Sequence, residues 1–148
     1  MRVTVFYLCM TLLAMVCSGI YVWKWHKHFD IYYAVIYMLV PFLNAGYLLV
    51  SVAKDVGEAL TATKITYLGG CYLLLLIMMS AFSLCRIRLP RWLSFTLIVS
   101  STVVYAAVLT AGHLDIFYRD AGIDTSDGFT TVVKAYGPMH SVFYGLII

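Results

Sequence analysis

Four aspartates, Asp115, Asp120, Asp124 and Asp127, form the densest group of candidate oxygen ligands in this sequence. Clustered carboxylates could hold a calcium ion. Their spacing lacks the EF-hand alternation and its closing glutamate, so they read as turn formers. His26 and His28 stand two apart between Lys24 and Phe29. On a helix they would point in different directions, and no third ligand is near, so they read as headgroup contacts, not a metal pair. His113 and His140 flank the aspartates, where an imidazole could report pH. Cys9, Cys17, Cys71 and Cys85 sit in apolar runs without CxxC spacing and read as small buried hydrophobes. There is no phosphate-cradling glycine loop, HExxH or nucleophile elbow. The reading is of no catalytic residue, no metal site and no cofactor.

The elements that must position these groups are apolar and long. The chain is 63% hydrophobic and 11% charged, against about 25% charged in a soluble domain. Its mean hydropathy is +0.91. Runs at 4–23, 31–53, 66–85 and 92–112 each reach about the 20 residues that a helix needs to cross a bilayer core. Lipid offers the backbone no partners, so such runs must be helices. Residues Ala14-Met15-Val16-Cys17 offer no good cleavage site, and Lys24 and Lys27 follow the first run, so it reads as a retained helix. The expected fold is an all-α integral membrane protein, a multi-pass helical bundle with a short extracytoplasmic β-hairpin between helices 4 and 5. The partners expected are the lipid bilayer and a small-molecule or membrane stimulus, with no nucleic acid.

Basic residues set an orientation. Lys24 and Lys27 follow the first run, and Arg86, Arg88 and Arg91 follow the third. After the second run, Lys54 and Lys64 are balanced by Asp55 and Glu58; after the fourth, Arg119 and Lys134 face four aspartates. Such alternation places the first and third breaks in the cytoplasm and the N-terminus outside. The expected location is the cytoplasmic (inner) membrane. A fifth run, 136–148, starts outside and has about 13 residues, too few to cross. The expectation is that residues 1–148 are the N-terminal part of a larger bundle, with helix 5 incomplete.

The loop 113–135 is the one stretch long enough to fold outside the membrane. Ile116-Phe117-Tyr118-Arg119 and 129–134 are rich in aromatic and β-branched residues, and the turn formers between them close with Asp127-Gly128. This predicts a β-hairpin over the mouth of the bundle, docked because an isolated hairpin is marginal in water.

Within the second run, Pro41 must kink the helix and free the carbonyl of Tyr37. Asn44, one turn on, should face the bundle interior and bond a neighbour or a ligand. Gly69-Gly70 and Ser100-Ser101-Thr102 should let helices approach closely. Twelve tyrosines is many. Interfacial anchoring accounts for most of them, and the outward group could line an aromatic pocket beneath the hairpin. The candidate ligand-binding residues are Asn44, Tyr47, Tyr67, Tyr105, Tyr118, Tyr136 and His140.

The succession Asn44-Ala45-Gly46-Tyr47-Leu48-Leu49-Val50, Glu58-Ala59-Leu60 and Lys64-Ile65-Thr66-Tyr67-Leu68-Gly69 resembles the N-terminal seven-transmembrane sensory region of bacterial histidine kinases and related diguanylate cyclases. So does the aromatic segment leading to Tyr136-Gly137-Pro138. The family often places an aromatic residue or proline one turn after that glycine, where this chain has Cys71-Tyr72-Leu73-Leu74. The resemblance implies a sensory input module relaying a stimulus to a cytoplasmic C-terminal effector, a histidine kinase or a diguanylate cyclase in a two-component or cyclic-di-GMP pathway. It also implies a homodimer through that C-terminal part, with no catalysis in residues 1–148. A small-solute transporter or an orphan membrane protein is the alternative. No helix buries a charge, which argues against ion pumps and proton-coupled transport.

Overall fold

The computed structural model describes residues 2–24, 30–114, 116–126 and 128–147. His26 and His28, together with Asp115 and Asp127 of the acidic group, lie outside the described residues. In chain order the elements are α1 (Arg2–Lys24), α2 (Ile31–Val52), α3 (Val56–Leu84), α4 (Arg91–Leu109), β1 (Tyr118–Asp124), β2 (Thr131–Tyr136) and α5 (Pro138–Ile147). The first four helices are each long and apolar enough to cross a membrane.

Their surfaces are inverted relative to a soluble bundle. Large apolar side chains such as Leu13, Val16, Phe42 and Phe95 face outward, and the buried positions of α3 are, Met79 apart, small: Ala59, Ala62, Thr63, Thr66, Gly69, Cys71 and Ser80. Lipid is as apolar as leucine, so helices gain nothing by hiding leucine from it; they associate where small side chains bring backbones close. Gly46 of α2 is such a place. A Cβ there would stand 2.3 Å from Thr66 Oγ1, 2.6 Å from Thr66 N and 2.8 Å from Thr66 Cα. One Cβ at Gly69 would lie 2.7 Å from Leu43 Cβ. Gly46 and Gly69 thus interlock α2 with α3.

Pro41 frees a carbonyl inside α2, and α1 supplies its partner. Ser18 Oγ lies at hydrogen-bond distance from both the Tyr37 carbonyl and its own helix's Ala14 carbonyl, and shares its one proton between them. Stacking of Tyr21 on Tyr37, with centroids 4.6 Å apart, closes the same contact. Asn44 does not reach across: its Nδ2 donates to Val40 O within α2 at 2.9 Å.

Helix ends determine the rest. α3 begins at Val56, ten residues ahead of the apolar run at 66, because local chemistry starts it. Asp55 Oδ1 accepts the Glu58 amide at 2.7 Å, and Glu58 Oε2 accepts the Lys54 amide at 2.9 Å, a reciprocal cap. At 29 residues the helix is about 43 Å long and exceeds a hydrocarbon core of about 30 Å. Its last turn closes in a Schellman motif: Ile87 N donates to Phe82 O (2.9 Å) and Arg86 N to Ser83 O (3.1 Å). That motif puts Arg86 at φ 56°.

β1 and β2 form an antiparallel hairpin, from Tyr118 opposite Tyr136 to Asp124 opposite Thr131, with an irregularity between Tyr118 and Asp120. It is docked by hydrogen bonds. Thr130 N donates to Ser51 O at 3.1 Å, and Thr130 Oγ1 donates to Ala53 O at 2.7 Å. These are terminal carbonyls of α2, which have no partners within the helix. Gly137 N to Phe117 O and Met139 N to Ile116 O tie the base of the hairpin to the start of α5.

Candidate functional site

The hairpin closes over the bundle at the end where α2 gives way to α3. Phe117, fully buried, is the plug. It enters a core of Cys71, Val104, Val108 and Ala111 between α3 and α4. Its ring meets Tyr67 at 5.1 Å, Tyr118 at 4.8 Å and His140 at 5.2 Å, all near edge-to-face. Such pairs each contribute about 0.5–1.5 kcal/mol beyond the area they bury.

Around this plug gather four of the seven residues singled out in the sequence. Tyr67 lies 6.5 Å from Tyr118, Tyr118 lies 6.3 Å from Tyr136, and Tyr136 stacks on His140 at 3.9 Å. Tyr47 stands apart, stacked on Tyr7 of α1 at 5.5 Å, and reaches the same region through a shared cavity. Tyr105 packs against Tyr72 at 6.1 Å on the α3–α4 side. Asn44 lines a different, mostly apolar cavity of about 530 Å³ among α1, α2 and α3, with Ala14, Cys17, Tyr37 and Ser80. The set is therefore not a single site: Asn44 and Tyr105 lie outside the group around the plug and its cavity.

Beneath the hairpin lies a cavity of about 330 Å³, at the small end of the range for small-molecule sites. Leu43, Tyr47 and Val50 of α2 form one wall, and Thr63, Thr66, Tyr67 and Gly70 of α3 a second. Phe129 to Val132 and Lys134 cover it. Val132 and Lys134 share a face because alternate side chains of a strand point the same way. That alternation is the signal in the predicted strand 129–134 that sets Lys134 with the tyrosines; its charge alone counts only toward the balance of the outer loop. Phe117 and Phe143 were likewise invisible as site residues, because aromatic residues are everywhere in this chain.

Lys134 is the one charged side chain on the cavity wall among the described residues. Its Nζ sits 5.0 Å from the Tyr118 ring centroid and 5.6 Å from that of Tyr67. No ion pair to it occurs among the described residues. Burial pushes its ammonium below the ordinary lysine range. The lining hydroxyls carry no counter-charge for it. Ser51 Oγ donates to Leu48 O, Thr63 Oγ1 to Ala59 O, Thr66 Oγ1 to Ala62 O and Thr130 Oγ1 to Ala53 O. Their protons are committed to the backbone, so they present acceptor lone pairs.

Two further buried polar groups lack hydrogen-bond partners among the described residues, the Tyr118 hydroxyl and both His140 ring nitrogens. Each residue is less than 5% exposed. Burial first, and the neighbouring Tyr67 hydroxyl second, push the Tyr118 phenol well above its ordinary range, so it stays a neutral O–H. An unmet buried polar group costs about 1–3 kcal/mol. Such a cost concentrated in one place marks a functional region better than it marks a packing core. No group of three or more His, Cys, Asp or Glu able to hold a metal occurs among the described residues.

Compared with known families, the chain matches the N-terminal 7TM region of histidine kinase over residues 7–148. No curated protein and no solved structure matches it.

Proposed function

The chain belongs to the N-terminal 7TM region of histidine kinases, and from that premise we propose that it senses a stimulus at the hairpin cavity and relays it to a kinase domain. The family and the four apolar helices place it in a membrane. On the orientation read from the basic residues, the hairpin faces outward from the inner membrane and the output faces the cytoplasm. A diguanylate cyclase output, or a homodimer held by the C-terminal part, fits the same input arrangement.

The observation that carries this reading is the seat of the hairpin. It rests on α2 through the two Thr130 hydrogen bonds and covers a cavity lined by α2, α3 and β2. Anything that fills the cavity must bear on both α2 and the hairpin. Two packings of these elements, differing by a few kcal/mol, would convert occupancy into a shift of helix position. α3, interlocked with α2 at Gly46 and Gly69, carries that shift through the bundle.

Gly70 gives the test. A Cβ added there meets no other element closer than Phe143 Cζ at 3.9 Å, and Gly70 lines the cavity. Full-length Gly70→Leu in nanodiscs should fold like the wild type, and its autophosphorylation rate should be fixed at one extreme of the wild-type range. A folded variant with a wild-type rate that still responds to stimulus would remove the cavity from the mechanism.

A further inference from the structure

We infer that the cavity beneath the hairpin takes a small monoanion with a flat apolar body, of the aromatic carboxylate class, with its carboxylate at Lys134. The inference rests on the cavity being the input site and adds the chemistry of what enters it. Three observations carry it.

The first is the ammonium itself. Lys134 projects from β2 onto the cavity wall with two tyrosine faces as its contacts. Cation–π contacts return less than the hydration an ammonium gives up on leaving water. A carboxylate would supply the missing counter-charge and strong charge-assisted hydrogen bonds. The second is the rest of the wall. Leu43, Val50, Tyr67 and Phe143 offer apolar and aromatic surface that an inorganic anion or a sugar would leave unused. The third is the hydroxyl inventory. The serine and threonine protons are committed to backbone carbonyls, which leaves neutral tyrosines and, as the one charged donor on the wall among the described residues, Lys134. A cationic or doubly charged ligand would therefore meet repulsion or an unpaired charge.

The test uses the full-length protein in phosphatidylcholine nanodiscs, with binding followed by ligand-observed NMR against empty nanodiscs. The probes are 1-naphthoate and indole-3-carboxylate, each beside its carboxamide. The acids should bind at least about tenfold more tightly than the amides. That ratio should fall to within twofold of unity in Lys134→Gln and survive in Lys134→Arg. A ratio near unity in the wild type, or one unchanged in Lys134→Gln, overturns the inference. Loss of acid binding on replacing the lipid with phosphatidylglycerol assigns the ammonium to a lipid phosphate and overturns it too. Should acids and amides bind alike and both be lost in Gly70→Leu, the cavity stands as the input site and the anion preference falls. Should no probe bind, and Gly70→Leu leave kinase output untouched, both fall together.

Discussion

Replacing Gly46 by alanine tests the packing logic of the bundle at one atom. The added Cβ would sit 2.3 Å from Thr66 Oγ1 and, less escapably, 2.6 and 2.8 Å from the Thr66 backbone N and Cα. A hydroxyl can rotate away; a helix backbone must translate. Overpacking of this kind costs about 1–3 kcal/mol, and backbone involvement places Gly46→Ala toward the top of that span. The control is Gly19→Ala on α1, where the new methyl meets nothing within 4 Å. There alanine should stabilise the helix by about 0.5–1 kcal/mol through its better propensity. The propensity gain is common to both substitutions and cancels, so their difference of roughly 2–3 kcal/mol isolates the α2–α3 contact. Equilibrium unfolding in mixed micelles of rising dodecyl sulfate content measures both. Equal stabilities for the two variants, or a more stable Gly46→Ala, would refute the interlock and the transmission through α3 that depends on it.

Three other outcomes follow from single groups. Ser18→Ala leaves the Tyr37 carbonyl freed by Pro41 without its α1 partner and should cost about 1 kcal/mol in the same unfolding assay. Arg86→Gly should stabilise by about 1 kcal/mol, because it relieves a left-handed backbone at φ 56° that a Cβ disfavours. Asp124 Oδ1 accepts the Ser126 amide at 2.9 Å, and that bond with its neighbours holds the carboxyl below the ordinary carboxylate range. Its contribution to the hairpin turn is therefore present above the usual pKa of about 3.9 and lost as pH falls through the lowered folded value. Carbon-detected NMR titration of Asp124 should give a midpoint under 3.9, with hairpin amide protection declining over the same window.

Much of this architecture is legible in the residues themselves, for identifiable reasons. Apolar runs of spanning length have one solution in lipid, so the helices announce themselves. Pro41 dictates that the Tyr37 carbonyl needs a partner, but nothing local says that the partner is Ser18; that depends on how α1 crosses α2. Hydropathy places the start of the third helix near 66, whereas the Asp55–Glu58 cap starts it at Val56, because a cap signal is polar and looks like loop. Asn44 shows the limit of reasoning from polarity alone. Its Nδ2 donates within its own helix, and it lines a different cavity from the one beneath the hairpin. For Lys134, charge counted along the chain shows only an acidic loop, whereas period-two alternation in β2 turns this basic residue onto the cavity wall.

Signal transfer by this route depends on the seat of the hairpin on α2, and one reversible tether tests it. Cysteines at 53 and 130, introduced into a variant with Cys9, Cys17, Cys71 and Cys85 replaced, would lock Thr130's position to the end of α2 on oxidation. Autophosphorylation of the full-length protein in nanodiscs would be read with the tether closed and again after reduction. Closing it should fix the rate at one level whatever the cavity holds, and reduction should restore the response. Identical rates and responses in a quantitatively cross-linked sample and its reduced form, or no phosphotransfer at all, would contradict it.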